Sequence, residues 1–331
     1  MLFNIIFPLI IITFAGYFVH RMHYIGDNVA DGIGHLVFKI LIPLMLFRMM
    51  ATLNLEGIEV TKIWVAYFGV LFALWAGIGV VFPLLFRREL EWGVIASVSS
   101  VFGNSVMVGI PVISLFIGDK GILIFMIILS IHLPFQLTIA CMHNIVVRSI
   151  ALHKQKSAKE EMLQSTAPDM KDFLRTIFHI FISNPVMIAL LLGAFYRFSG
   201  LPWFELIENT IAPLAKGATG LALFALGMSL DRYGIKEDII PGSVAAFIKL
   251  IMFPILIFIS AHILFQLPQD QVMVLVLAAT CPTGITAALF ADSFQTGTRL
   301  ATNTITLSML FSIPTITIWL YILQGYFTPF G

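Results

Sequence analysis

The 331-residue chain is strongly hydrophobic: apolar residues make up 59% of it and charged residues 11%, against about 25% charged residues in a typical soluble domain. Its mean hydropathy is +0.97. This composition excludes a soluble globular protein and predicts an integral membrane protein with many spans. The net charge of +1 gives no indication of a nucleic-acid partner.

Ten apolar segments follow one another along the chain, each near the roughly 20 residues that a helix needs to cross about 30 Å of hydrocarbon. The first segment is expected to be a span and not a signal peptide, because no basic residue precedes it and no small-residue cleavage site ends it. The predicted spans are 2–19, 32–53, 63–86, 93–117, 121–147, 176–198, 207–230, 239–264, 272–295 and 300–323.

Two of these segments are interrupted near the middle. Segment 97–118 contains Gly103, Asn104, Ser105, Gly109 and Pro111, and segment 277–296 contains Pro282 and Gly284. Each backbone group that a helix break leaves unpaired in hydrocarbon costs several kcal/mol, so both breaks must face protein or water. Two interrupted segments in corresponding positions of two halves indicate the substrate site of a secondary transporter.

Several residues recur between the two halves at a nearly constant spacing. The pairs are Pro8 with Pro185, Gly16 with Gly193, Lys39 with Lys216 and Phe47 with Phe224 at an offset of 177, Gly118 with Gly297 at 179, and Pro134 with Pro314 at 180. Because five spans is an odd number, the second half must enter the membrane inverted relative to the first. We therefore predict one repeat at 1–147, a linker at 148–175 and a second, inverted repeat at 176–331.

The basic residues outside the spans predict the orientation, since Lys and Arg accumulate in short cytoplasmic loops. With the N-terminus outside, the outer loops hold only Lys62, Lys120 and Arg197. The inner loops then hold twelve basic residues: Arg21, Arg87, Arg88, Arg148, Lys154, Lys156, Lys159, Lys171, Arg175, Arg232, Lys236 and Arg299. Both termini are therefore predicted to be extracytoplasmic, and the 148–175 linker cytoplasmic.

Five motifs together resemble the auxin efflux carrier family of bacteria and plants. They are FGNSVMVGIP with LFIGDKG, PLAKGATGLALFALGMSLD, FIKLIMFP and CPTGITAALFADSFQTGTRLAT, and the similarity runs from about residue 4 to 323. The resemblance implies ten transmembrane helices in two inverted five-helix repeats, with helices four and nine broken and crossing at the substrate site, as in bile acid sodium symporters.

Plant members of that family have a long central loop and an Asn-Pro pair at the first crossing. Here the central loop is short, and Asn104 is followed by Ser105. Small bacterial members are associated with malonate, malate and similar carboxylates. The resemblance therefore implies a dicarboxylate carrier in the cytoplasmic (inner) membrane more than an auxin carrier, and leaves a homodimer open.

The helix breaks are the candidate substrate site. Half-helices that start after Asn104 and after Pro282 present free N–H groups and a partial positive charge, which together favour an anion. The candidate substrate-binding residues are Asn104, Ser105, Gly109, Pro111, Pro282, Thr283, Gly284, Thr286 and Lys249. The alternative is that the polar side chains among them only satisfy the backbone of the broken helices.

Ionisable residues inside the spans are few. We count four cations, Lys39, Arg48, Lys216 and Lys249, against one carboxylate, Asp292. Arg48 is close enough to the end of its span to snorkel to the surface, whereas Lys249 lies about ten residues into its span and must contact substrate or cap freed carbonyls.

Two further residues are candidates for ion coupling. His132 would carry a proton or serve only in packing, and Asp292 would couple transport or lie solvated at a helix end. The two cysteines, Cys141 and Cys281, have no neighbour at a metal-ligand spacing, so they are expected to be packing residues and no metal or cofactor is expected.

These observations predict a secondary carrier of small organic anions that works by alternating access. The sequence leaves open whether a proton, a sodium ion or no ion is coupled to transport. The alternatives are an auxin-like monocarboxylate carrier, or a channel or ligand sensor on the same fold. An enzyme is not expected, because the spans lack paired aspartates, a Ser/His pair and an HExxH helix, and no P-loop occurs.

The charge distribution generates a test of topology. A reporter inserted in 148–175 should be cytoplasmic, and one fused after Gly331 should be extracytoplasmic. Alkaline phosphatase and green fluorescent protein fusions at both sites measure this directly. Reporters on the same side of the membrane would contradict the five-plus-five arrangement.

Overall fold

The computed structural model describes residues 2–52, 58–156, 184–229 and 239–327, and within these ranges every regular element is a helix. The predicted all-α class is therefore confirmed for the described residues. In chain order the helices are α1 (Leu2–Arg21), α2 (Asp27–Ala51), α3 (Val60–Phe86), α4 (Leu90–Val101), α5 (Ser105–Ile117), α6 (Asp119–Lys156), α7 (Pro185–Phe198), α8 (Glu205–Ser229), α9 (Ile239–Leu264), α10 (Gln269–Thr280), α11 (Thr286–Ser293) and α12 (Thr298–Tyr326).

Six helices of the described ranges are long and apolar enough to cross a membrane: α2, α3, α6, α8, α9 and α12. Two boundaries differ clearly from the sequence prediction. Helix α2 begins at Asp27, five residues earlier than predicted, because the extended backbone of Gly26 marks its start. Helix α6 continues through Lys156, past the predicted end at 147, so the linker begins as helix. The remainder of the linker, 157–175, and the first part of the predicted sixth span, 176–183, lie outside the described residues.

Three helices widen into a π turn two residues before a proline. The π turns are Val37–Leu41 before Pro43, Ser105–Gly109 before Pro111, and Ile248–Met252 before Pro254. Proline has no N–H to donate to the carbonyl four residues earlier, so the widened turn absorbs the local mismatch. The carbonyl freed by Pro254 is that of Leu250, which accepts a hydrogen bond from the Trp319 indole N–H at 3.3 Å.

Close helix pairs form at the two repeated glycines. Helix α1 packs on α8, and α7 packs on the second half of α2. A Cβ atom added at Gly16 would lie 2.1 Å from the Phe224 carbonyl oxygen, and one added at Gly193 would lie 2.8 Å from the Phe47 carbonyl oxygen. In the sequence repeat, Gly16 corresponds to Gly193 and Phe224 corresponds to Phe47. The contact of Gly16 with Phe224 therefore has its counterpart in the contact of Gly193 with Phe47, in which the two predicted halves exchange roles.

These contacts predict that alanine is poorly tolerated at both glycines. Gly16→Ala and Gly193→Ala should each lower the free energy of unfolding by about 1–3 kcal/mol, because the obstacle is backbone of the neighbouring helix and cannot rotate away. Thermal unfolding of the purified protein in detergent measures the loss.

The matched control is Gly220→Ala on α8, where nothing lies within 4 Å of the added Cβ. This change should be neutral or stabilise by up to about 1 kcal/mol through helix propensity. Equal destabilisation at all three positions would contradict the packing described here.

Candidate functional site

The two helix breaks meet and pair through their backbones. The N–H of Asn104 donates to the Pro282 carbonyl at 2.7 Å, and the N–H of Gly284 donates to the Phe102 carbonyl at 3.0 Å. Between these bonds, Gly103 and Thr283 form an isolated antiparallel bridge. Each donor and acceptor of one break has its counterpart 180 residues away in the other. The broken helices thus satisfy each other's backbone at a point where hydrocarbon could not.

Small residues allow this close approach. A Cβ atom added at Gly103 would lie 3.3 Å from Cβ of Cys281 and 3.4 Å from Nζ of Lys249. One added at Gly284 would lie 3.1 Å from the Phe102 ring. Pro282 contributes no N–H that would need a partner. Glycine and proline at the crossing therefore serve the pairing of the two backbones.

Side chains at the breaks complete the hydrogen bonding. The Asn104 side chain accepts from the Met107 N–H at 3.4 Å and so caps the start of α5. The Thr283 hydroxyl donates to the Ser99 carbonyl at 2.7 Å, and the Thr283 N–H donates to the Ser308 hydroxyl at 2.9 Å. Helix α11 starts at Thr286 with no side-chain cap, and its first N–H groups, those of Ala287 and Ala288, donate to the Gly284 and Ile285 carbonyls at 3.1 and 3.0 Å.

A cavity of about 600 Å³ lies against the crossing. Its walls come from α2, from both breaks, and from α6, α7 and the end of α8. Three helices begin at this cavity: α5 after Asn104, α11 at Thr286, and α7 after Asn184, whose side chain accepts from the Val186 N–H at 2.9 Å. Among the described residues, the lining contains no Lys or Arg and one carboxylate, that of Asp31. Helix N-termini carry partial positive charge, so the three helix starts favour an anion.

The predicted site residues divide into two groups. Asn104, Ser105, Gly284 and Thr286 line the cavity, and so does His132. The lining does not include Gly109, Pro111, Pro282, Thr283 or Lys249. Gly109 instead allows close packing, since a Cβ atom there would lie 2.8 Å from the Phe125 ring and 3.1 Å from Sγ of Cys281. Pro111 is buried in the first turn after the π turn.

Lys249 lies behind the crossing and is fully buried. Its ammonium donates to the Ala279 carbonyl at 2.7 Å and lies 4.8 Å from the centre of the Phe253 ring. Ala279 is the penultimate residue of α10, where carbonyls lack helical partners and carry partial negative charge. In this conformation Lys249 therefore caps a carbonyl freed by the break, which is one of the two roles expected for it.

The sequence count of one carboxylate in the spans was wrong. Glu208 lies in the first turn of α8 and forms a bidentate ion pair with Arg48, with Nε–Oε2 at 2.8 Å and Nη2–Oε1 at 2.5 Å. The Trp203 indole N–H also donates to Glu208 at 3.0 Å. Arg48 is therefore held by a partner and does not simply snorkel to the surface.

Asp292 is exposed at the end of α11. This position agrees with the alternative in which the Asp292 carboxylate is solvated at a helix end.

Sequence reasoning missed the third helix start in the cavity and the wall supplied by α2. The signal at Asn184 was present, because Asn followed by Pro is a typical N-cap and first helical residue. Asp31 and His35 of α2 also line the cavity and were not considered. Within the part of the chain that the structure describes, no group of three His, Cys, Asp or Glu side chains could hold a metal ion.

Comparison with known proteins decides the family. A family model described as "Membrane transport protein" matches residues 1–320. The chain belongs to this family. Recognition of the auxin efflux carrier family from the motifs is thereby confirmed, and the protein is a membrane transporter.

Relatives of this membrane transport protein match it at low identity over most of its length. The uncharacterized transporter YfdV of Escherichia coli strain K12 is 23% identical over 95% of both chains. A putative malonate transporter of Rhizobium meliloti is 22% identical over 97% of this chain and 96% of its own. Auxin efflux carrier component 8 of Arabidopsis thaliana is 22% identical over 71% of this chain and 72% of its own.

The hydrogen bond from Thr283 generates a test that separates stability from binding. Thr283→Val keeps the shape of the side chain but leaves the buried Ser99 carbonyl without its hydroxyl donor. The free energy of unfolding should fall by about 1–3 kcal/mol. Thr302→Val on α12, where an exposed hydroxyl bonds to the Thr298 carbonyl, is the control and should change it by less than about 0.5 kcal/mol.

Both variants are measured by thermal unfolding of the purified protein. A Thr283→Val protein as stable as the wild type would show that this hydroxyl does not hold the break together.

Proposed function

We propose that this membrane transporter is a secondary active carrier of small organic anions and binds them in the cavity at the crossing of its two helix breaks. One observation carries the proposal: the starts of α5 and α11 meet at the wall of a cavity whose described lining has no Lys or Arg. The attraction for an anion then comes from N–H groups and helix dipoles held in fixed positions. Asn104, Ser105, Gly284 and Thr286 are the proposed contacts.

The proposed architecture is two inverted five-helix repeats with helix pairs α4–α5 and α10–α11 as the fourth and ninth spans. Two independent symmetries support it. The backbone bonds at the crossing pair positions that lie 180 residues apart, and the Gly16–Phe224 contact has its counterpart in Gly193–Phe47. Inverted repeats with discontinuous helices at the substrate site are typical of alternating-access carriers.

The proposed conformation is open to the cytoplasm. The cavity is lined by the start of α2 and the end of α8, which adjoin the basic loops that the charge rule assigns to the inside. The Arg48–Glu208 ion pair lies about 25 Å further along α2, at the opposite end. We propose that the opposite, outward-open state closes the cavity by moving the crossing relative to α2 and α8.

Dicarboxylates are the proposed substrates. Two helix starts from opposite breaks would each meet one carboxylate, and a putative malonate transporter is among the relatives that match over nearly the whole chain. A monocarboxylate of the auxin type is the second candidate, favoured by the match to an auxin efflux carrier component and by the apolar part of the lining, which includes Phe38, Leu129 and Met187.

Uptake by proteoliposomes tests the carrier. Radiolabelled malonate and malate should enter with saturation, and unlabelled substrate inside the vesicles should accelerate their uptake by counterflow. Current without counterflow would indicate a channel, and binding without flux would indicate a sensor. The same assay with an auxin-type monocarboxylate separates the two substrate classes.

A conservative variant tests the site. Thr286→Val removes a hydroxyl in the first turn of α11 and should weaken malonate binding about tenfold, equivalent to about 1.4 kcal/mol for one hydrogen bond to a charged group. The thermal stability of this variant should be unchanged. Thr283→Val, whose hydroxyl faces the Ser99 carbonyl, should behave in the opposite way. Malonate affinity that falls in Thr283→Val and not in Thr286→Val would place the substrate elsewhere.

A further inference from the structure

His132 on α6 is a buried histidine that the crossing itself does not use. Its side chain is 4% exposed and lies among the rings of Tyr67, Phe68 and Phe102, at centroid distances of 6.0, 6.2 and 5.6 Å. Neither ring nitrogen has a hydrogen-bond partner in the described part of the chain. A buried polar group without a partner costs about 1–3 kcal/mol.

Packing does not account for this residue. The buried hydroxyls of Ser260 and Thr283 each donate to a main-chain carbonyl, at 3.0 and 2.7 Å. Of the described side chains that bury an unpaired polar atom, His132 is the one that lines the cavity. An aromatic hydrocarbon ring at position 132 would fill the same slot between three rings without leaving polar atoms unpaired. The histidine is therefore retained at a cost in stability, which is typical of a residue that contacts a ligand.

The position of His132 indicates which ligand it would contact. The side chain lines the same cavity as Asn104 and Ser105, and it contacts Phe102, which immediately precedes the paired backbone of the first break. A carboxylate held at the start of α5 would therefore share the cavity with the His132 ring on the α6 wall. An unpartnered buried side chain and a helix N-terminus thus face one cavity from two different elements.

The titratable groups near His132 come from three other helices. The ring of Tyr67 on α3 lies 6.0 Å from the imidazole, and Lys249 on α9 lies against Phe253, whose ring also contacts Tyr67. Asp31 and His35 line the α2 wall of the cavity. An incoming carboxylate would bring a negative charge to the imidazole and favour the imidazolium. Anion binding and protonation of His132 are then thermodynamically coupled.

We propose that His132 is a substrate-contact residue whose imidazole takes up one proton from cavity water when a carboxylate binds. The added N–H donates to a carboxylate oxygen, so anion and proton occupy the site together and the net charge of the loaded site is one unit more positive than with the anion alone. This inference rests on the proposed binding of organic anions at the crossing and adds proton coupling to it.

Isothermal titration calorimetry of the purified full-length protein with malonate tests the coupling. Titrations at pH 7.5 in HEPES and in Tris, whose ionisation enthalpies differ, give the number of protons taken up per malonate bound. The wild type should take up close to one proton. His132→Gln should take up none and should bind malonate at least tenfold more weakly. His262→Gln, which changes a histidine of α9 outside the cavity lining, should keep the wild-type uptake.

A second variant separates ligand contact from a structural role. His132→Phe removes both unpaired nitrogens and should keep or raise the unfolding temperature while malonate binding is lost at least tenfold. A large fall in the unfolding temperature would show that the imidazole is structural and would overturn the proposal.

The outcomes also separate this proposal from the one on which it rests. Malonate binding by the wild type without proton uptake, or with uptake that persists in His132→Gln, would overturn the role of His132 and leave the anion carrier intact. Failure of the wild type to bind malonate, malate or a monocarboxylate would overturn both.

Discussion

Two backbone hydrogen bonds between the helix breaks are the interaction on which the site depends. A broken helix in a bilayer leaves polar backbone groups that must find partners, and here each break finds them in the other, at Asn104–Pro282 and Gly284–Phe102. The pairing fixes where α5 and α11 begin. Because those starts carry partial positive charge at the cavity wall, the same two bonds would also create the affinity for anions proposed above.

The buried polar residues around the crossing extend this constraint outward. Lys249 and Thr283 cap the main-chain carbonyls of Ala279 and Ser99 that the breaks leave free, and Ser308 accepts from the Thr283 N–H. These side chains thus form hydrogen bonds with the main chain of the breaks. The nitrogens of His132 are buried but have no partner within the described residues. Other described side chains, such as those of Ser99, Ser100 and Gln136, also bury a polar atom without a partner, but of these residues only His132 lines the cavity. This difference separates the side chains that maintain the crossing from one that is free to meet a substrate.

The sequence was informative where a residue type has one physical role. The helix breaks were predicted from Pro282, Gly103 and Gly284, because proline and glycine destabilise the interior of a helix. Gly16 and Gly193 recur in the sequence because two backbones meet at each of them. The sequence was ambiguous where the role of a residue depends on the partner that it contacts. Whether Lys249 faces substrate or a carbonyl depends on the neighbouring helix, and the Arg48–Glu208 pair joins residues 160 positions apart. The π turns also escaped prediction, because hydrophobic periodicity over five residues does not distinguish them from α-helix.

The central claim is that the paired helix breaks form the anion site, and an electron cryomicroscopy structure determined with malonate tests it most directly. The account predicts malonate density between the first turns of α5 and α11, within hydrogen-bond distance of Ser105 or Thr286, with Gly103 and Thr283 still paired. Continuous helices through residues 102–104 and 281–285, or malonate bound away from these two helix starts, would contradict it.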